Sequence, residues 1–257
     1  MAVDISWRFG SNSSAGGLLT REAGRELRYS TLACDYDGTL AHDGQVAPPT
    51  LAAMQRFRAS GRKLILVTGR EMEDLKKVFE PLDLFERVVA ENGGVLYCPA
   101  TRDETILGPR VPETLARALM ERRVHPLSVG RVLVATVRPH ETTLLHTIRD
   151  LGLEMQVIFN KDSVMALPSG VNKATGLEAA LKELHRDAKE VVGVGDAEND
   201  HTFLQMCACS VAVGNALPAL KKEANVVLTS PNGAGVTELM LALIERDEPP
   251  PSAWSQA

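Results

Sequence analysis

A chain of 257 residues with 44% hydrophobic side chains can bury one sizeable core and a smaller second one, which excludes a peptide, a collagen or a wholly disordered protein. Its 28 basic and 33 acidic residues give a formal net charge of -5, so a surface built to neutralise nucleic-acid phosphates is not expected. No window reaches the roughly 18 consecutive apolar residues of a membrane span, and the opening MAVDISWRFGSNSSAGG lacks the apolar run and cleavage site of a secretory signal. The expectation is a soluble, cytoplasmic protein with neither a nucleic-acid nor a membrane partner.

Residues 1–27, rich in Ser, Gly and charge, show no sustained periodicity and read as an N-terminal extension. The chain then alternates. Ser30 to Cys34 is a short apolar strand, Pro48 to Ser60 a helix, Leu64 to Val67 a strand, Glu71 to Phe79 a helix and Arg87 to Ala90 a strand. Short continuous apolar runs ending in polar residues are what a parallel sheet covered on both faces produces. From about Val95 to Leu167 the pattern changes to mixed strand and helix (RVLVATVRP, ETTLLHTIRDLG, EMQVIFNK, SVMALP), which suits a small inserted α+β cap domain over residues 95–167.

The alternation then resumes. Helices are expected at Asn172 to His185, Glu198 to Met206, Leu217 to Ala224 and Val236 to Ile244, with strands at Val191 to Val194, Ser210 to Val213 and Val226 to Leu228. Residues 28–94 and 168–246 thus form one α/β core with a mostly parallel sheet, and residues 247–257, with three consecutive prolines, form a C-terminal tail. Cys34, Cys98, Cys207 and Cys209 make no disulfide framework or zinc ribbon and read as small buried hydrophobes. The six histidines show no metal-binding spacing.

Chemistry gathers at the strand ends. The first strand runs into Asp35-Tyr36-Asp37-Gly38-Thr39, placing two carboxylates where open α/β sheets bind ligands. They would share a side if the strand stayed regular, and an ordinary Asp-Gly surface turn is the plain alternative. The second strand ends Val67-Thr68-Gly69, offering a hydroxyl and a glycine whose neighbouring N–H groups can approach an anion; Thr68 would equally serve as an N-cap for the next helix. Lys173 opens a helix, against the preference of the helix dipole, so it wants an anion nearby. Asp196-Ala197-Glu198-Asn199-Asp200 follows a strand ending in glycine and supplies hard oxygen donors of the kind Mg²⁺ prefers, with Asp196 the leading ligand and Glu198 a solvated helix-start acid.

In this order, DYDGT, TG, an insertion, a helix-initial lysine and GDAEND, the chain resembles the haloacid dehalogenase (HAD) superfamily from about Tyr29 to Ile244. The insertion after Glu91-Asn92-Gly93-Gly94 is similar to the Cof-type, subclass IIB branch, whose Rossmann-like core carries an α+β cap over the site. The resemblance implies that Asp35 is the nucleophile and Asp37 the general acid and base. It implies Mg²⁺ held by Asp35, the carbonyl of Asp37 and Asp196, and phosphate oxygens held by Thr68, the Gly69 backbone and Lys173. Asn199 would contact phosphate or the metal shell, and Asp200 would orient Lys173 or a metal-bound water. The implied activity is hydrolysis of a small phosphorylated metabolite, first of all a sugar phosphate, by a monomer or homodimer. The alternatives are a phosphomutase of the phosphomannomutase type and a non-catalytic HAD-fold binding module; Asp37 disfavours a dehalogenase. Arg138, His140, Asn160 and Lys161 in the cap are candidates for substrate contact or simply solvated turns.

Overall fold

The computed structural model describes residues 27–253; residues 1–26 of the expected extension and 254–257 of the expected tail lie outside the described residues. In chain order the elements are β1 (Thr31–Cys34), α1 (Pro48–Ala59), β2 (Lys63–Val67), α2 (Met72–Val78), β3 (Arg87–Ala90), β4 (Val95–Cys98) and β5 (Asp103–Ile106). Then come α3 (Glu113–Glu121), β6 (Ser128–Val129), β7 (Val134–Val137), α4 (Glu141–Asp150), β8 (Met155–Asn160) and β9 (Ser163–Pro168). The chain closes with α5 (Lys173–Glu183), β10 (Val191–Gly195), α6 (His201–Met206), β11 (Cys209–Ala212), α7 (Pro218–Glu223), β12 (Val226–Val227) and α8 (Asn232–Arg246).

An eight-stranded sheet runs in the order β12-β11-β10-β1-β2-β3-β4-β5. Strands β12 to β3 are parallel neighbours. Every residue of β1, β10 and β11 is buried, which requires cover on both faces and explains why these strands read as unbroken apolar runs. α1 packs on α8, and α5 on α6. Cys34 and Cys209 are buried within the sheet, and Cys98 and Cys207 are half-buried, all four as free thiols.

The expected cap boundary at Val95 is corrected. β4 and β5 belong to the core sheet, antiparallel to β3 and to each other. The reversal is made at Glu91-Asn92-Gly93, where the first two residues have φ of 49° and 53°. Gly93 follows at φ +106°, and a Cβ there would lie 1.9 Å from the Asn172 carbonyl oxygen, so only glycine lets the turn meet the start of α5.

The cap proper begins after β5. Its sheet runs β6-β7-β9-β8, all antiparallel. Side chains alternate across it. Val164 and Ala166 join Leu115 and Leu119 of α3 and Leu144 of α4 in a small core of their own, while Met165 and Leu167 turn the other way and join the main core. Glu91 ties this module down: its fully buried carboxylate accepts the backbone N–H groups of Arg131, Val132 and Leu133.

The tail expected from Asp247 is also not a plain appendage. The Asp247 carboxylate accepts from the backbone N–H of Arg28 and from Arg62 Nη2, at 2.7 and 2.8 Å, and Ala253 N–H reaches the carbonyl of Val227 on the sheet edge. α8 ends at Arg246 with Asp247 as its left-handed cap, and the proline run that follows leads the chain back to β12.

Candidate active site

β1 is the point where the sheet order reverses, with β2 and β3 on one side and β10, β11 and β12 on the other. A crevice forms beyond the carboxyl ends of the strands at such a switch point. Asp35 follows β1, Thr68 follows β2 and Asp196 follows β10, so three of the expected residues reach one crevice by topology alone. The register holds them level, with Cys34 opposite Val194 and Asp35 N–H bonded to the Val194 carbonyl.

Lys173 completes the group from the first turn of α5. Asn172 caps that helix, accepting from Ala174 and Thr175 N–H, and thereby aims Lys173 inward. Its ammonium is fully buried and donates to Asp35 Oδ1 at 2.5 Å and to Asp200 Oδ1 at 2.6 Å. Asp200 Oδ2 in turn accepts the N–H groups of Asp196 and Ala197, fixing the loop after β10. Asp196 is fully buried, its Oδ1 accepting from Thr39 Oγ1 at 2.9 Å and its Oδ2 from Lys161 Nζ at 2.6 Å.

Burial shapes the charge of the group. Desolvation pushes the Asp35 carboxyl well above the usual carboxylate range, with Lys173 opposing and Asp200 and Asp196 reinforcing the rise. Asp196 is raised for the same first reason, against the Lys161 bond. Burial would discharge Lys173, but the charges of Asp200 and Asp35 outweigh it and hold the ammonium above its ordinary value. Ligand oxygens of Asp35, Asp196 and Asp200 lie within 4.8 Å of one another, all on buried residues. Three hard oxygen donors whose negative charge burial penalises suit a small divalent cation. Asp200 is tied to buried Lys173 and to two backbone N–H groups, whereas Lys161, one of the two partners of Asp196, is partly exposed, so Asp35 and Asp196 are the side chains best fitted to ligate.

The Asp35 and Asp37 carboxylates do not share one environment. β1 ends at Cys34, and three N–H groups, of Thr39, Leu40 and Ala41, converge on the Tyr36 carbonyl, so the chain turns between them. Asp35 is 4% exposed and Asp37 39%, and the latter is gripped by Arg70. Gly38 holds φ +81° in this turn, and a Cβ there would come within 2.5 Å of Asp196 Oδ2.

Thr68 is buried at the crevice but is not the cap of α2, whose N-cap is Glu71; its Oγ1 instead accepts Arg70 N–H. Gly69 lines the cavity beside Arg70. Asn199 donates through Nδ2 to Asn92 Oδ1 at 2.9 Å, while its own Oδ1 is buried and has no protein partner.

Between the crevice and the cap lies an open cleft of about 850 Å³ lined by Asp35, Asp37, Gly69, Arg70, Asn160 and Lys161, among others. Of the four cap candidates, only Asn160 and Lys161 line it. Arg138 stacks on Phe159, and His140 Nε2 bonds to the His125 carbonyl. Glu198, expected as a solvated acid, accepts the Lys161 backbone N–H. Sequence reading passed over Arg70, Thr39 and Glu91. Arg70 directly follows Thr68-Gly69, and Thr39 was quoted only as part of DYDGT; the partners of all three lie outside their own motifs.

A mostly parallel sheet that gathers Asp35, Thr68, Lys173 and Asp196 at its switch point, with an inserted α+β cap beside them, is the arrangement of a capped phosphotransferase. Residues 32–124 and 132–240 match the model of the haloacid dehalogenase-like hydrolases. The phosphoglycolate phosphatase of Haloarcula marismortui is 30% identical over 80% of this chain and 94% of its own length. Phosphoglycolate phosphatase 2 of Saccharolobus solfataricus is 28% identical, covering 81% and 90%. A haloacid dehalogenase-like hydrolase from Bacteroides thetaiotaomicron has the same fold at TM-score 0.70 and 20% identity, over 84% of this chain and all (100%) of that one. A sugar phosphatase of HAD subclass IIB matches at TM-score 0.67 and 16% identity, over 83% and 98%. The chain belongs to the haloacid dehalogenase-like hydrolases and is a phosphoric monoester hydrolase. Phosphatases of this family generally use a divalent metal. Among the described residues, no helix is long and apolar enough to cross a membrane.

Proposed function

We propose that the protein hydrolyses the phosphomonoester of a small metabolite in two in-line steps through Asp35. The observation that carries this reading is the buried Lys173 ammonium shared between Asp35 and Asp200, with buried Asp196 close by and Asp35 itself lining the cleft beneath the cap. Asp35 attacks phosphorus, forming an aspartyl phosphate and releasing the alcohol, which divides a difficult hydrolysis into two easier displacements. Asp37 protonates the departing oxygen and then takes a proton from the water that cleaves the acyl phosphate, a contribution of roughly 10²–10⁴-fold for such groups. Lys173, Thr68 and the Gly69 backbone hold the non-bridging oxygens, and the orphaned Asn199 Oδ1 is left to accept a hydrogen bond from a substrate hydroxyl or a bound water.

Asp35, the carbonyl of Asp37 and Asp196 would hold Mg²⁺, with Asp200 keeping Lys173 and the loop in place. The ion supplies the positive charge that lets a carboxylate approach a phosphate dianion.

A sugar phosphate is the substrate class implied by the family resemblance, and the names of the curated relatives add phosphoglycolate; a cleft of about 850 Å³ is compatible with small metabolites of either kind. The test is phosphate release from a panel of phosphorylated metabolites, including sugar phosphates and phosphoglycolate, with Mg²⁺ present. Release from at least one member without a bisphosphate activator supports a hydrolase. Turnover that requires such an activator and yields an isomeric sugar phosphate supports the mutase instead.

A further inference from the structure

Lys161 sits at the tip of the cap hairpin, in the two-residue turn between Asn160 and Ser163, which pair across β8 and β9. Its φ of 53° is a left-handed turn conformation that directs the tip down onto the core. Two bonds dock it: the backbone N–H donates to Glu198 Oε2 at 3.1 Å, and the ammonium donates to Asp196 Oδ2 at 2.6 Å. On the far edge of the cap, Ser128 Oγ bonds to Glu71.

Both oxygens of the Asp196 side chain are engaged. Oδ1 is taken by Thr39, a fully buried residue of the core turn, and Oδ2 by Lys161. The backbone is committed as well, N–H to Asp200 and carbonyl to Leu217 N–H. Of the two side chains on Asp196, Thr39 is locked in the core, whereas Lys161 rides on the cap with 45% of its side chain exposed. Space is short too. A Cβ on Gly38 would meet Asp196 Oδ2 at 2.5 Å and Lys161 Nζ at 2.8 Å, so backbone closes this side of the carboxylate and the ammonium fills the approach to Oδ2.

We propose that Lys161 and the divalent cation are alternative counter-ions of Asp196. The cap lysine neutralises the carboxylate and latches the lid; with a divalent cation held by Asp196, Lys161 would lose this partner and the hairpin tip its latch. The exchange rests on the reading of Asp196 as a metal ligand, but the role of Lys161 within it is separate. Because coupling between two binding events is reciprocal, whatever the Lys161 contact contributes to closure is subtracted from metal affinity. Lys161 is therefore a residue that sets how much metal the enzyme needs and links metal occupancy to the position of the lid.

The test is direct binding of Mn²⁺ to the full chain, followed by the paramagnetic signal of the free ion, in the wild type, Lys161→Met, Lys161→Arg and Asp196→Asn. Lys161→Met should bind Mn²⁺ roughly 5- to 50-fold more tightly, within the usual range of coupling between sites. Lys161→Arg, which keeps the cation, should stay near the wild type. In parallel, amide hydrogen exchange in the tip, residues 160–163, should rise when Mn²⁺ is added to the wild type and should already be high in Lys161→Met. Unchanged or weaker Mn²⁺ binding by Lys161→Met, with the wild type binding normally and Asp196→Asn impaired, would overturn the exchange and leave the metal reading standing. Wild-type binding that Asp196→Asn does not impair would remove both.

Discussion

Arg70 grips Asp37 with both arms of its guanidinium, Nε on Oδ2 at 2.6 Å and Nη2 on Oδ1 at 2.8 Å, while its third nitrogen, Nη1, holds Asp74. The hydrogen bonds and charge of Asp37 outweigh the cost of partial burial and keep the arginine firmly protonated. A two-point grip fixes the plane of a carboxylate and not only its distance. Arg70 thereby sets where the proposed proton donor points.

Leaving-group chemistry tests that relationship. Asp37→Asn should lower kcat on an alkyl phosphate by roughly 10²–10⁴-fold and far less on p-nitrophenyl phosphate, whose phenolate departs without a proton. Arg70→Gln should follow the same split in milder form. An equal loss on both substrates would assign Arg70 to structure alone.

Asp35→Asn should abolish turnover while circular dichroism and melting stay close to the wild type, because the amide is nearly isosteric and Lys173 keeps Asp200. The variant should also bind divalent metal less well. Retention of more than a small residue of activity in the purified variant would sink the covalent route.

Excess chelator should silence the enzyme, Mg²⁺ should restore it and Ca²⁺ should inhibit, since the larger ion accepts a looser, more crowded shell that spoils in-line geometry. Steady-state rates over a metal series check this; full activity in chelator is the contrary result.

Asp247 gives a pH-dependent outcome. Burial acts to raise its carboxyl, but the bonds from Arg62 and from the Arg28 and Tyr29 N–H groups bring it below the usual value. A carboxyl lowered on folding contributes stability that is complete above its unfolded pKa and is lost as pH falls through the folded one. Arg62 is 2% exposed in this pair and Asp247 12%. Asp247→Asn should therefore unfold at lower urea near pH 7, with a loss of about 1–3 kcal/mol, and the gap to the wild type should start to narrow as pH falls below about 4 and close only below the lowered folded pKa. A gap that does not narrow on acidification speaks against this pair.

Glu91→Ala would strand three backbone N–H groups of the cap, at about 1–3 kcal/mol for each one left buried. The expected result is a lower melting temperature with earlier proteolytic cleavage in the connector between β5 and α3. Unchanged melting would mean that the cap is held by its apolar contacts with the core.

The strands and the main site residues were legible because parallel strands announce themselves as short apolar runs and chemistry follows their ends. Asp35, Thr68, Lys173 and Asp196 all sit one residue past such a run or at a helix start. VLYC was harder: it returns antiparallel after the ENG turn and looks the same in sequence as the first strand of a separate module. Ion pairs and latches left no local mark. Glu91 meets residues about 40 positions on, Lys161 finds Asp196 35 away, and Asp247 reaches back 219 to Arg28. No periodicity connects partners so far apart, and only the closing of the sheet brings them together.

The placing of β1 also orders events in time. The strand carrying Asp35 finds its β2 partner about 30 residues downstream, but its other neighbour, β10, begins only at Val191, after the whole cap has emerged. A growing chain can assemble the β1-β2-β3-β4-β5 half of the sheet while still lacking Asp196, Asp200 and the register that levels Asp196 with Asp35. On a ribosome the proposed nucleophile would exist long before Lys173, Asp196 and Asp200, the charged groups gathered around it. Under the proposed mechanism, a chain truncated or stalled before Val191 should therefore be inert.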